Sequence, residues 1–354
     1  MITKHMNKRP QLVYLAFGAE IYQFEAIFSI ASALARCTQR DWDIQVFTDA
    51  PALYAGLPVT TREISPQWRG PHGYHFRIKH AALQEVLREH EVAALVDTDT
   101  FFHESPAKLF GRIQPGHLLC NAIGSRFVDV GHCATFLAAL ESSGLLDSSM
   151  RQTNSGVIGL HAADSSLLER SITFMDEYHS AATGVYTFEE ICLALAAHKR
   201  LALRECPDLL HHYWSRKAHF RAKVLAWHHK HRETPTSELA LRDLRNVSVH
   251  LPRPPQPLRT LQKIATLAVP REQRQFTRES LYGCYRYSNE FDRACATVWW
   301  EKALENAERR MVARLNMDTL NLWLNHPVLR TLAGSFHQDL ARHLGTLRAE
   351  GDTL

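Results

Sequence analysis

Residues 93–99 read Ala-Ala-Leu-Val-Asp-Thr-Asp, an apolar strand that delivers two carboxylates, one residue apart, at its carboxyl end. Side chains alternate along an extended chain, so Asp97 and Asp99 are expected to point the same way. Two carboxylates held side by side repel each other unless a cation sits between them. A hard divalent ion with oxygen ligands, Mg²⁺ or Mn²⁺, would remove that repulsion and would itself be completed by a diphosphate. The plainer alternative is a polar strand end that caps a loop.

Two other uses of the pair fit the sequence less well. A phosphatase with the first Asp as nucleophile needs Thr or Val two residues past the second, where this chain has Phe101, and no later GDxxxD-type pair is found. An EF-hand needs Gly at the sixth loop position and Glu at the twelfth; counted from Asp97 these are Phe102 and Lys108. A second polar run, Thr153-Asn154-Ser155-Gly156, leads into the apolar Val157-Ile158-Gly159. Gly156 would let backbone approach a ligand, and Asn154 and Ser155 offer donors and acceptors to hydroxyl groups. A simple turn before a strand explains the same residues.

The elements that must position these side chains alternate between strand and helix. Short apolar runs at 12–17, 44–47 and 93–96 read as strands, and helical spacing marks 22–36 and 76–90. Further apolar segments lie at 118–123 and 156–160, with helices expected over 165–178 and 188–198. Alternation of this kind predicts a largely parallel sheet covered on both faces, with ligands bound beyond the carboxyl ends of its strands. Four prolines within 251–257 mark a linker, after which helical patterning prevails. The expected organisation is an α/β domain over 1–255 and a helical region over 256–354.

Composition narrows the partners. With 45% hydrophobic and 22% charged residues the chain is globular in type, and its net charge of +4 gives no sign of wholesale nucleic-acid binding. The positive excess is local, with twelve Lys/Arg against five Asp/Glu over 199–253. Seven scattered cysteines without a CxxC pair favour a reducing compartment over a disulfide framework. The first ten residues fit neither a signal peptide nor a membrane anchor, so a cytoplasmic location is expected.

Taken in order, Val13 to Gly18 before a helix, Arg77 and Lys79 on a helix feeding Asp97-Thr98-Asp99, and Asn154-Ser155-Gly156-Val157 resemble a GT-A-fold glycosyltransferase. The nearest likeness is to the nucleotide-diphospho-sugar transferases around glycosyltransferase family 8, over roughly residues 10–220. The resemblance implies a Rossmann-like mixed, mostly parallel sheet with helices on both faces. It also implies Mn²⁺ (or Mg²⁺) held by Asp97 and Asp99 on the diphosphate of a nucleotide sugar, with a later His as a further ligand and a nearby cation on phosphate. The matching place is Leu210-His211-His212-Tyr213-Trp214-Ser215-Arg216-Lys217, which departs from the HxxGxxKPW pattern in lacking the glycine and the Pro-Trp. His212 fits the His-Tyr part and His211 has the right spacing to Lys217, so both stand as candidate ligands, with Arg216 or Lys217 on phosphate.

The same resemblance assigns Arg77 and Lys79 to the donor, and Phe17, Gly18 and Tyr22 to the nucleotide-base edge, with Asp49 a weaker ribose or base contact. Glu189 and Glu190 fall where such transferases carry an acidic or amide residue near the acceptor; they also suit a helix N-terminus. His228 to Arg232 read as a basic flap or anionic-acceptor surface. Trp299 and Trp300, near Arg309, Arg310 and Arg314, read either as an interfacial helix touching anionic lipid at the inner face of a membrane or as packed core. The expected function is hexosyl-type transfer from a UDP-sugar to a hydroxyl acceptor, glycan, lipid or anionic. A Mg²⁺-dependent phosphohydrolase or nucleotidyltransferase, or a catalytically silent nucleotide-sugar-binding scaffold, are the alternatives.

Overall fold

The computed structural model describes residues 8–129, 133–215 and 217–351. The chain divides into two compact units, the first running to Trp214 and taking in Glu233–Arg245, the second holding Ser215–Arg232 and Asn246 onward. This differs from a single cut after residue 255, because a helix at 217–231 groups with the second unit and a helix at 238–244 with the first.

In the first unit, strands β1 (Gln11–Ala16), β2 (Asp43–Thr48), β3 (Thr60–Arg62) and β4 (Val92–Val96) are followed by a short β5 (Thr100–Phe102). Then come β6 (His117–Arg126), β7 (Arg151–His161), β8 (Ala202–Glu205) and the short β9 (Leu210–His212). The main sheet runs β3-β2-β1-β4-β7-β6-β8, and β5 pairs with β9 apart from it. The β4–β7 and β6–β7 pairings are antiparallel and the other four are parallel. This is the mixed, mostly parallel α/β architecture expected of a GT-A domain.

Strand order explains where the helices lie. The chain leaves β1 through α1 (Glu20–Ala35) to reach β2 on one side, and returns through α2 (Arg77–Leu87) to reach β4 on the other. Right-handed crossovers in opposite directions put these two helices on opposite faces. The step between β1 and β4 is therefore a topological switch point, with a crevice outside the strand ends. The runs between 106 and 244 supply α3 (Pro106–Phe110), α4 (Ala134–Ser142), α5 (Ser166–Tyr178), α6 (Phe188–Ala197), α7 (Lys217–His231) and α8 (Glu238–Leu244). One core joins α2, α4, α5 and α6 to the sheet through Leu83, Leu95, Phe136, Ile158, Phe174 and Ile191, all buried.

The second unit is helical, as expected of the C-terminal region. Beyond α7 it holds α9 (Gln256–Ala265), α10 (Arg274–Gly283), α11 (Glu290–Arg293), α12 (Ala296–Met311), α13 (Met317–Leu324), α14 (Pro327–Ala333) and α15 (His337–Gly351). Its core joins Phe276, Trp300, Leu304, Trp323 and Leu340. Helix α10 ends against α12 at Gly283, where a Cβ would lie 2.4 Å from Trp300 Nε1, so no larger residue fits that contact unchanged. Trp299 and Trp300 are only 2% and 4% exposed, which settles them as core and not as an interfacial helix.

Leu95, next to last in β4 and two residues before Asp97, has no exposure and belongs to the core. Leu95→Ala is expected to lower stability by about 3 kcal/mol, read as a fall in the urea midpoint of the first unit's unfolding transition.

Candidate functional site

Sheet register brings the two polar motifs together. Val96 pairs with Val157 across the antiparallel β4–β7 ladder. Because the strands run in opposite directions, residues 154–156 continue past the end of β4, beside Asp97. The backbone confirms it, since Asp97 N–H donates to the Gly156 carbonyl at 3.0 Å. Asn154, Ser155 and Gly156 thus lie inside β7 and not in a turn before it.

The imidazole arrives by a second pairing. After Asp99 the chain enters β5, whose Thr100, Phe101 and Phe102 pair antiparallel with His212, His211 and Leu210 of β9. Alternation along β9 sends His212 to the carboxylates, while the His211 ring lies near His103 and Tyr213. His212 Nε2 comes to 3.2 Å from Asp99 Oδ1 and 3.7 Å from Asp97 Oδ2. Among the described residues, Asp97, Asp99 and His212 form the group whose ligand atoms converge closely enough to hold one metal ion. His211 is not part of it.

Gly156 has a specific part in this. A Cβ built on it would lie 2.1 Å from His212 Nδ1. The close approach that needs glycine here is that of the imidazole, and not of a ligand as the sequence suggested.

The tautomer of His212 is fixed by its neighbours. Asn154 Oδ1 lies 2.9 Å from His212 Nδ1 and accepts the Gly156 N–H at 3.2 Å, while Asn154 Nδ2 donates to Glu190 Oε1 at 3.0 Å. With an amide oxygen facing it, Nδ1 donates to Asn154, which leaves Nε2 as the ring atom presented to the two aspartates and available to a metal ion. This chemistry fits a divalent ion: two carboxylates and one neutral imidazole, a set that suits Mn²⁺ and admits Mg²⁺ less readily because of the nitrogen.

Lys79 connects the metal-side aspartate to the glutamate pair. Its ammonium donates to both oxygens of Asp97, at 2.7 and 2.8 Å, and lies 3.4 Å from Ser155 Oγ. Burial acts to lower its pKa, but the charges of Asp97 and Glu189 and the hydrogen bond to Asp97 overcome that and hold it above the ordinary ammonium range. Glu189 accepts Ser155 Oγ–H at 3.2 Å and Tyr74 O–H at 3.1 Å. Burial, then the Glu189 charge, push the Tyr74 phenol above its usual value.

Both glutamates sit in the first turn of α6, where the helix dipole favours them. Glu190 Oε1 collects Asn154 Nδ2, the Ser155 N–H at 2.7 Å and Ser155 Oγ at 3.3 Å. No described residue bonds its other oxygen, and the carboxylate lines a hollow of about 180 Å³ with Gln152, Asn154 and Thr187. That is roughly the volume of six waters. Burial and the neighbouring Glu189 charge push the Glu190 carboxyl up to about 7, against the Ser155 N–H and Lys79, which pull it down.

Other expected residues lie elsewhere. Arg77 and Lys79 are two apart on a helix and so face in nearly opposite directions. The Arg77 guanidinium is taken up by Asp176 of α5, at 2.8 and 2.9 Å, and by the Trp68 carbonyl, and is not brought to the aspartates. Asp49 is occupied by the chain itself, accepting Gly18 N–H and Gln23 Nε2 at 2.8 Å each. Those bonds fix the β1 end, where Gly18 has φ +88° and Tyr22 stands 40% exposed beside half-buried Phe17.

Arg216 lies outside the described residues, and Lys217 opens α7 of the second unit, where it lines a groove with His250, Arg253 and Lys302. Lys223, one of the twelve cations counted in 199–253, is fully buried and holds the carbonyls of Ser248 and His250 and the carboxylate of Asp292. Tyr74 and Gln23 escaped sequence reading because each is a single residue in no motif. Gln23 is visible only once the β1 and β2 ends are placed side by side.

No family model matches the chain, and no curated protein does. Among solved structures it is similar to the galactosyltransferase LgtC in complex with donor and acceptor sugar analogues, at 14% identity and TM-score 0.37 over 52% of this chain and 70% of that one. It is similar also to mouse xyloside xylosyltransferase 1, at 14% identity and TM-score 0.40 over 56% of this chain and 85% of that one. A third is the bifunctional glycosyltransferase WbbM, at 11% identity and TM-score 0.39 over 57% of this chain and 39% of that one. At that distance they carry no chemistry over to this chain.

The geometry separates the two histidines and tests the glycine. Gly156→Ala and His212→Ala should each lower Mn²⁺ affinity by at least about tenfold, while His211→Ala leaves it unchanged. Titration calorimetry with Mn²⁺ checks this, with circular dichroism to show that each variant keeps its fold.

Proposed function

We propose that the first unit is a metal-dependent glycosyltransferase that moves a sugar from a nucleotide-diphospho-sugar, a UDP-sugar by the family resemblance, to a hydroxyl acceptor. The observation that carries this reading is the convergence of Asp97, Asp99 and the Nε2 of His212 at the switch point of the sheet. A divalent ion bound there supplies positive charge against the diphosphate leaving group as its negative charge develops. The chain's own residues do the rest. Asn154 orients the His212 ring, Lys79 holds the Asp97 carboxylate in place, and Phe17, Gly18 and Tyr22 at the end of β1 offer the neighbouring edge to the base.

Glu190 is the proposed acceptor-side base. A carboxylate with one oxygen unbonded by described residues and a pKa near neutrality is suited to take the proton of an acceptor hydroxyl. Glu189, buried and tied to Tyr74 and Ser155, stands between Lys79, whose pKa it raises, and Glu190, whose pKa it also raises. Hexosyl transfer, the UDP base and the hydroxyl nature of the acceptor belong to this proposal.

Two measurements test it. With UDP and Mn²⁺, titration calorimetry should show binding that Asp97→Asn and Asp99→Asn each reduce at least about a hundredfold, and that EDTA abolishes. Undiminished metal-dependent binding in both variants would sink the reading. In turnover, a UDP-sugar without acceptor should slowly yield UDP and free sugar; UMP and sugar phosphate would point to the phosphohydrolase alternative.

The pH dependence has a definite sign. A base must be ionised, so the transfer rate should fall as pH drops through about 7, the value of the Glu190 carboxyl. Glu190→Gln should remove that limb and lower kcat by roughly a hundredfold or more, with nucleotide affinity kept within a few-fold. A pH–rate profile of both proteins decides it.

A further inference from the structure

Helix α9 of the second unit is turned against the usual sense. It buries Gln262, and Thr266 just past its end, while Leu261, Ile264 and Leu267 are 63%, 58% and 61% exposed. These three recur at a spacing of three and so form a continuous apolar ridge down one side. Scattered exposed leucines are ordinary, but a ridge on a helix whose only buried residue is Gln262 is not.

Beside the ridge lies a groove of about 540 Å³ lined by Arg253, Arg259, Lys263, Arg278 and Lys302. The acid that also lines it, Glu279, is held by Gln275 Nε2 at 2.7 Å and Asn306 Nδ2 at 2.9 Å. None of the five cations forms an ion pair with a described carboxylate. Five cations and one carboxylate, a net of four positive charges, therefore stand next to exposed aliphatic side chains, on one face of one unit.

We propose that this face docks on an anionic phospholipid bilayer, with lipid phosphates in the basic groove and Leu261, Ile264 and Leu267 inserted at the headgroup–acyl boundary. The two features call for different chemistry from the same partner, and a bilayer presents both, anionic headgroups directly above hydrocarbon. A soluble polyanion would satisfy the cations and leave the ridge in water. A second copy related by a two-fold axis would set one cationic groove close to the other. The proposal is independent of the transferase reading, and it replaces the lipid contact once considered for Trp299 and Trp300, which are core.

Co-sedimentation of the full chain with vesicles tests it, using phosphatidylcholine alone and phosphatidylcholine with about 30 mol% phosphatidylglycerol. Binding to the anionic vesicles only is expected, falling as salt rises from about 0.1 M to 0.5 M. Arg259→Glu with Lys263→Glu, and separately Leu261→Asp with Ile264→Asp, should each lower the partition coefficient at least about tenfold. Leu261, Lys263 and Ile264 are exposed and Arg259 is half-buried, and circular dichroism together with unchanged Mn²⁺ binding would show that both variants fold.

If the Leu261→Asp, Ile264→Asp variant binds anionic vesicles as well as the parent, the groove is a plain polyanion site and the proposal fails. It fails equally if the parent does not bind anionic vesicles, or if light scattering shows a dimer that only the apolar variant loses.

Discussion

Three carboxylates gather around one buried ammonium at the end of β4, and a fourth stands beside them. Asp97, Glu189 and Glu190 are joined through Lys79, Ser155 and Asn154 by direct hydrogen bonds, and Asp99 faces His212 Nε2 at 3.2 Å. Buried anions of like sign raise one another's energy steeply, and the lysine answers only part of the excess. The described residues resolve it in two ways. Glu190 is displaced toward neutrality, so that it carries its proton well above the usual carboxylate range, and Asp97 and Asp99 are arranged with an imidazole lone pair so that a divalent cation can complete the balance.

Backbone geometry follows from that requirement. The antiparallel β4–β7 register carries Asn154 and Ser155 past the end of β4, and the separate β5–β9 pair carries His212 back to it. Thr100, the first residue of β5, ties the start of that strand to the end of β4 by donating to the Asp97 carbonyl at 2.8 Å while bonding Ser29 of α1 at the same distance. Two pairings and one glycine thus fix three ligand atoms contributed from residues 97, 99 and 212. A parallel strand beside β4 would have turned residues 154–156 toward its opposite end.

Sequence patterning made the alternation of strand and helix legible, along with the Asp97-Asp99 motif and the helical C-terminal region, because each is a local signal of period or composition. What it left open was set by contacts between distant segments. His211 and His212 are chemically identical neighbours, and only pairing with β5 decides which one meets the aspartates. Arg77 looked like a donor contact because it sits two residues from Lys79, yet that same separation turns it to Asp176, over a helix face no local pattern reveals. The excess charge of 199–253 misled in another way: Lys223 counts as a surface cation in composition, but in the fold it is a buried clamp on two carbonyls.

Glu190 joins the two halves of the site. One of its oxygens holds Asn154 and through it His212, and the residue also lines the hollow beside Gln152 and Thr187. Were that bond the sole restraint on Asn154, a proton on Glu190 would free the amide to turn, and His212 would lose the partner that keeps its Nε2 lone pair on the aspartates. The Gly156 N–H prevents this, because it donates to Asn154 Oδ1 whatever the state of Glu190. Protonation of the glutamate can therefore change on the acceptor side during a reaction while the ligand side keeps its geometry. A strand backbone supplies that insulation, since a main-chain N–H has no titration of its own.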